Sequence, residues 1–172
     1  RKIVISTGVV TTVAGTGSSG SANGTGTSAS FDNPNEITTD GTNLYVADSN
    51  NHLIRKIVIS TGVVTTLAGT GSSGCANGTG TSASFNAPNG ITTDGTNLYV
   101  GETNNHIIRK IVISTGVVTT VAGTVSSACT VSSGSANGTG TSASFNQPSE
   151  ITTDGINLYV ADLGNHLIRQ IE

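Results

Sequence analysis

The sequence predicts an all-β fold built from three tandem copies of one antiparallel unit. Three observations carry that expectation. Ile37 to Val58 (ITTDGTNLYVADSNNHLIRKIV) returns as Ile91 to Val112 and, clipped, as Ile151 to Glu172. Near-identity over such a span marks one supersecondary unit that stacks on its neighbours. Within each copy the apolar residues alternate with period two, and helical periodicity appears nowhere. The alternating runs end at turn residues, and Asp40-Gly41, Asp94-Gly95 and Asp154-Gly155 are hairpin signals.

In the first full copy a short strand over Ile37, Thr38 and Thr39 meets the Asp-Gly turn. A second strand, Leu44 to Ala47, closes at the polar turn Asp48-Ser49-Asn50-Asn51. The third runs from Leu53 to Ile59, and Ser60-Thr61-Gly62 turns it into a fourth, Val63 to Leu67. Four antiparallel strands joined by tight turns make one blade of a β-propeller. The whole chain, 1–172, then reads as blade parts at 1–14, 31–68, 85–122 and 145–172, with polar loops at 15–30, 69–84 and 123–144 between them. Each loop runs into a phenylalanine, Phe31, Phe85 or Phe145, which is expected to pin it as an ordered surface segment. Asn105 follows Asn51 by 54 positions and Asn165 follows Asn105 by 60. The six extra residues fall near Val125 to Thr130, in a surface loop where added length costs little.

The two ends carry parts of blades. Arg1 to Ile5 repeats Arg55 to Ile59, so a third strand opens the chain and Val9 to Val13 supplies a fourth. Leu167 to Ile171 is a third strand with no fourth behind it. The absence of an initiating Met suggests a fragment or a processed product, with any signal peptide outside it.

Composition narrows the function classes. Aromatics make up 3%, charged residues 10%, Met and Trp are absent, and the net charge is −3. A conventional core of bulky side chains is not expected from that inventory, and stacked sheets closed by Val, Ile, Leu and the methyls of Thr and Ala, which suit pleated surfaces, are the form it allows. With no basic patch, nucleic acid is a poor partner. No apolar run is long enough for a membrane-spanning helix.

The triplets Asn51-His52-Leu53, Asn105-His106-Ile107 and Asn165-His166-Leu167, with Leu-Tyr-Val upstream and Ile-Arg-Lys-Ile downstream (Ile-Arg-Gln-Ile in the last copy), resemble the NHL repeat. That resemblance covers essentially the whole chain and implies β-propeller blades, three per chain. It also implies a binding platform, a scaffold or, in a minority of the family, a lyase-type enzyme using metal and histidine in the central channel. Here His52, His106 and His166 sit at equivalent turns and would be spread around a ring, which points to structural hydrogen bonding. No extra His or Cys is expected in that channel to complete a metal site. The family usually has Gly where this chain has Glu36 and Glu150, and Gly90 keeps it. Both glutamates open innermost strands, so they would rim the channel, either as a cation site or as solvated charge.

Asp48, Glu102 and Asp162 follow the second strand and are expected to pair with Arg55, Arg109 and Arg169 or to cap the next turn. No Ser/His/Asp or Cys/His arrangement rises above the repeat background, and the glycines of Gly15 to Gly20 lack a Lys and a following helix for phosphate. The reading is non-enzymatic, with no catalytic residues, metal or cofactor. Cys75 replaces a Ser of the other copies, and Cys129 lies in the insertion. A disulfide between consecutive loops is preferred over two free thiols and would fit an oxidising compartment. Asn23, Asn77 and Asn137 open Asn-Gly-Thr glycan acceptors, although Asn-Gly by itself makes a turn.

These readings combine into an extracellular structural or interaction module. Its partner is a second copy of itself, the N-terminal strands of one chain completing the last blade of another, with glycans as a further partner. A filament is slightly preferred over a ring. The alternative is a six-bladed ring that binds a small ligand or carbohydrate, or acts as a lyase, in its channel.

Overall fold

The computed structural model describes residues 1–126, 129 and 131–172. It begins with a hairpin, β1 (Lys2–Ile3) on β2 (Val10–Thr11). The first blade comprises β3 (Gly24–Thr25), β4 (Pro34–Thr39), β5 (Asn43–Asp48), β6 (Leu53–Val58) and β7 (Val63–Ala68). The second comprises β8 (Gly78–Thr79), β9 (Pro88–Thr93), β10 (Asn97–Glu102), β11 (Ile107–Val112) and β12 (Val117–Ala122). The third has β13 (Pro148–Thr153), β14 (Leu158–Asp162) and β15 (Leu167–Ile171). All pairing within blades is antiparallel, in the order β3-β7-β6-β5-β4, β8-β12-β11-β10-β9 and β13-β14-β15. The fold is a run of antiparallel propeller-type blades, with helix among the described residues confined to single 3-10 turns such as Ser49–Asn51.

Local chemistry explains the strand ends. Asp40 Oδ1 accepts the Thr42 and Asn43 amides at 2.8 and 2.6 Å while Gly41 takes φ of 88°, and the other two Asp-Gly turns repeat this. Burial pushes the Asp94 carboxyl upward. Hydrogen bonds from Asn97, Thr96 and Tyr99 outweigh it and hold the group down at about 2.

The first two blades differ from the expected four strands by one extra, two-residue strand. The loop ahead of each blade folds back on that blade's own outer edge, with Gly24 opposite Val64 and Gly78 opposite Val118. The loop is tight at this point: a Cβ on Gly78 would lie 2.9 Å from the Ser82 carbonyl. Gly-Thr has no apolar alternation, so the sequence pattern leaves this strand unmarked. In the third blade Gly138–Thr139 is not a strand, because β15 is the outermost strand there and no fourth strand offers an edge.

The core lies between blades. Tyr45, Ala47, Ile54 and Ala68 on the rear of blade one pack against Phe85, Ile91, Leu98 and Val100 on the front of blade two. Ile108 and Ala122 then meet Phe145, Ile151, Leu158 and Val160 of blade three. Each side chain fully buried this way contributes about 1.5–3 kcal/mol, so stacking is the main stabilising term. The front of blade one carries the matching set, Val46, Ile57, Val64, Phe31 and Leu44, against which Val13 and Ala14 pack. Cys75 and Cys129 form a disulfide between the loops preceding blades two and three. Within the insertion, Ser127, Ala128 and Thr130 lie outside the described residues.

Candidate interaction surfaces

Each blade is braced by one buried acid and one arginine, fully buried in the first two blades and nearly so in the third. Asp48 sits at the end of β5 and Arg55 in β6, on facing strands, with Asp48 Oδ2 accepting from Arg55 at 2.8 Å. Glu102 and Arg109 meet at 2.6 Å, Asp162 and Arg169 at 3.0 Å. The guanidinium also donates to the loop that precedes its blade: Arg55 reaches the Ser30 and Ala22 carbonyls at 3.0 Å and Asn23 Oδ1 at 2.9 Å. It stacks over the phenylalanine that ends that loop, with 5.1, 5.2 and 5.0 Å to the ring centres of Phe31, Phe85 and Phe145. The acid meanwhile accepts the amide just past that phenylalanine, of Asp32, Asn86 or Asn146, and the side chain of the motif asparagine, Asn51, Asn105 or Asn165. Burial pushes the Glu102 carboxyl up to about 7 against the opposing pull of Arg109. The acid, arginine and asparagine thus hold the loop to its blade.

The histidines work between blades. His52 and His106 occupy the left-handed region, φ 55° and 57°. Their Nδ1 atoms accept the amides of Ala87 and Gln147 of the following blade at 3.1 and 3.0 Å. Those donors also have positive φ, 50° and 55°, and Asn33 holds the equivalent position in blade one with φ of 52°. His166 has the same backbone, φ of 58°, and its ring makes no hydrogen bond among the described residues. Asn33 and Pro34 are exposed where Pro88 and Pro148 are buried. Ile37 is 54% exposed where Ile91 and Ile151 are 1% and 3%, and Ile168 is 77% exposed where Ile54 and Ile108 are fully buried. The first and last blades therefore present the two halves of a contact made twice inside the molecule.

No family model matches this chain. Among curated proteins, NHL repeat-containing protein 2 of Gallus gallus is 37% identical over 92 residues, 52% of this chain and 12% of its own length. The Homo sapiens protein of that name is 33% identical over 140 residues, 75% of this chain and 19% of its own. The chain belongs to the NHL-repeat family. It spans less than a fifth of these relatives. Two solved structures share the fold with a TM-score of 0.66. One is a protein of unknown function from Bacteroides thetaiotaomicron, 30% identical, with coverage of 74% of this chain and 32% of that one. The other is an auxiliary nutrient binding protein from Bacteroides ovatus, 26% identical, with 77% and 35% covered.

The NHL blades bring two predicted channel-rim residues together. Glu36 on β4 accepts the Ile91 amide, and its carboxyl also meets that of Glu150 on β13. Burial, and then the neighbouring Glu150 charge, push Glu36 up to about 7. Gly90 lies between them on β9, where a Cβ would fall 2.1 Å from the Ser149 carbonyl oxygen. Only glycine fits there, which explains why this copy lacks the glutamate. Among the described residues, no three His, Cys, Asp or Glu side chains gather as a metal site requires.

Asn23, Asn77 and Asn137 are exposed, yet each offers its side-chain oxygen to the blade arginine at 2.9–3.0 Å. They have a place in the fold whether or not they carry glycans. Sequence reasoning missed Ala87 and Gln147, whose backbone amides donate to the histidines, and Asn33, which holds the same position in blade one without a histidine. The signal available was position: each stands immediately before a proline.

Proposed function

We propose that this chain is a non-enzymatic, extracellular structural and interaction module. It self-assembles by joining its terminal blades to those of a second copy. The observation that carries the reading is the pair of exposed half-interfaces, Phe31, Asn33, Pro34 and Ile37 in front, Tyr159, His166 and Ile168 behind. Their equivalents already interlock between blades one and two and between blades two and three. A surface that recognises the next blade of its own chain will recognise the same blade of another copy.

Such a contact is head-to-tail, so it closes if the rotation allows and otherwise propagates as a filament. The carboxyls of Glu36 and Glu150 meet across Gly90, so the inner strands converge on one axis. Two copies would then close a ring of six, within the four to eight blades usual for propellers. The disulfide supports an oxidising, extracellular setting. Glycans on Asn23, Asn77 or Asn137 belong to the same reading, and an intact mass from native material above that of the polypeptide is the expected result.

Light scattering at tens of micromolar tests the assembly. Twice the chain mass is expected, with Ile37→Glu and Ile168→Glu each giving folded monomers, and rods in micrographs would identify the filament. A wild-type monomer overturns the proposal. The rival, a ligand binder or lyase-like enzyme at the central axis, draws support from the nutrient-binding structural relative. It would depend on Glu36 and Glu150, so Glu36→Gln with Glu150→Gln would abolish ligand binding and leave assembly intact.

A further inference from the structure

We infer that the groove beside β15 receives residues Val9 to Ala14 of a second copy, and that β1 must first be displaced from β2 for this to happen. The inference rests on the self-assembly reading and specifies its strand, register and competitor.

The groove, about 310 Å³, lies between Asn137, Gly138 and Thr139 on one wall and Arg169, Gln170 and Ile171 on the other. In blades one and two the fourth strand runs between the corresponding residues. There β7 pairs with β3 on one side and β6 on the other, and β12 pairs likewise with β8 and β11. The occupant is identified by sequence, because Arg1 to Gly15 is identical to Arg109 to Gly123, the third and fourth strands of blade two. It is also identified by position. Val13 and Ala14 already pack on the front of blade one, as Leu67 and Ala68 pack on blade two. Thus β2 is seated as the fourth strand of a blade standing ahead of blade one.

The register follows from β6 and β7, which pair Ile54 with Ala68, Arg55 with Thr66, Lys56 with Thr65 and Ile57 with Val64. Carried to the junction, Ile168 meets Ala14, Arg169 meets Thr12, Gln170 meets Thr11 and Ile171 meets Val10. Gly138 and Thr139 would then gain Val10 and Val9, as Gly24 and Thr25 have Val64 and Val63. Within one chain, however, Thr11 and Val10 are already paired with Lys2 and Ile3. These positions coincide with Gln170 and Ile171, so β1 and the second copy's β15 exclude each other. The internal hairpin is the weaker competitor: it has two paired positions and leaves Ile3 60% and Ile5 99% exposed. Exchange offers four and buries Ile168. Edge strands with unpaired amides and carbonyls accept strands of this kind.

Three variants test the exchange by sedimentation. Removing Arg1 to Ile3 deletes the competitor and should tighten self-association by roughly tenfold or more. Ile3→Cys with Val10→Cys, oxidised, locks β1 in place and should leave a monomer. Chains carrying Val10→Cys mixed with chains carrying Ile171→Cys should yield a disulfide between chains. If the truncated chain associates no more tightly than the full one, or the locked chain associates as well, strand exchange is wrong while self-assembly stands. If neither the full nor the truncated chain associates, the self-assembly reading falls and takes this inference with it.

Discussion

Arg109 is fully buried beside an equally buried Glu102, and the arrangement holds only while both partners remain. Arg109→Met would keep much of the packing on Phe85 but strip the Ser84 and Ala76 carbonyls of their donor and force Glu102, already pushed up by burial, to take a proton. The expected cost is about 3–5 kcal/mol, read from denaturant unfolding. The same change at Arg169, whose side chain is 10% exposed, should cost less. Glu36 is the second residue whose environment makes a prediction. Its folded pKa, about 7, stands above the usual 4.5, so the protonated form is favoured in the fold. Stability from this group is fully present below pH 4.5 and is lost as pH rises through 7. Glu36→Gln keeps an acceptor for the Ile91 amide without the charge. It should gain about 1 kcal/mol at pH 8, a figure reduced for screening of a half-exposed group, and nothing at pH 4. Equal midpoints for wild type and variant at pH 8 would remove that account. At this scale the acid–arginine pairing was open to sequence reading as one of two roles, since period two puts both residues on one face of adjacent strands, while the diagonal register that joins Asp48 to Arg55 comes from the fold. The Glu36 and Glu150 contact was not, because it depends on how far the inner strands of alternate blades converge.

The strands themselves were legible because each combines apolar alternation with a turn signal at both ends. Their register shifts were not, since the break between Ile54 and Arg55 leaves no compositional trace. The outer Gly-Thr strands were missed for the reason that makes them work, a glycine passing close to backbone. The same logic governs Gly90, where β13 passes so near that any side chain must push it away. Gly90→Ala is expected to cost about 1–3 kcal/mol as local overpacking, whereas Gly41→Ala meets no atom and suffers only its positive φ. The pairing of Cys75 with Cys129 could be read from their placement in consecutive loops. In the chain-entropy picture, closing 54 residues stabilises by roughly 4 kcal/mol. Cys75→Ser with Cys129→Ser should lose most of that in calorimetry and leave the blade arginines in place, because their acids Asp48, Glu102 and Asp162 still hold them.

At the scale of the whole molecule, near-identical blades hide what distinguishes the first from the last. Ile37, Ile91 and Ile151 read alike in sequence, and only the presence of a neighbour in front makes two of them core and one surface. Stacking is therefore a property that inner blades share and the outer faces of the first and last lack, and under the proposed assembly a second copy would supply it. If the inner strands share one axis, as the meeting of Glu36 and Glu150 indicates, six blades should satisfy every face. A tandem chain tests this directly. Arg1 and Arg169 hold the same register position, so residues 1–168 followed without a linker by 1–172 would continue the repeat unbroken, Ile168 leading into Arg1 as Ile108 leads into Arg109. Its first Val9 to Ala14 would close on its last β15, burying the first Ile37 and the last Ile168. The expected product is a monomer by sedimentation at any concentration, with a transition temperature above that of the single-length chain and independent of concentration. If the three blades instead climb about their axis, the same tandem chain would still associate end to end and grow with concentration, and the filament would be the form the molecule takes.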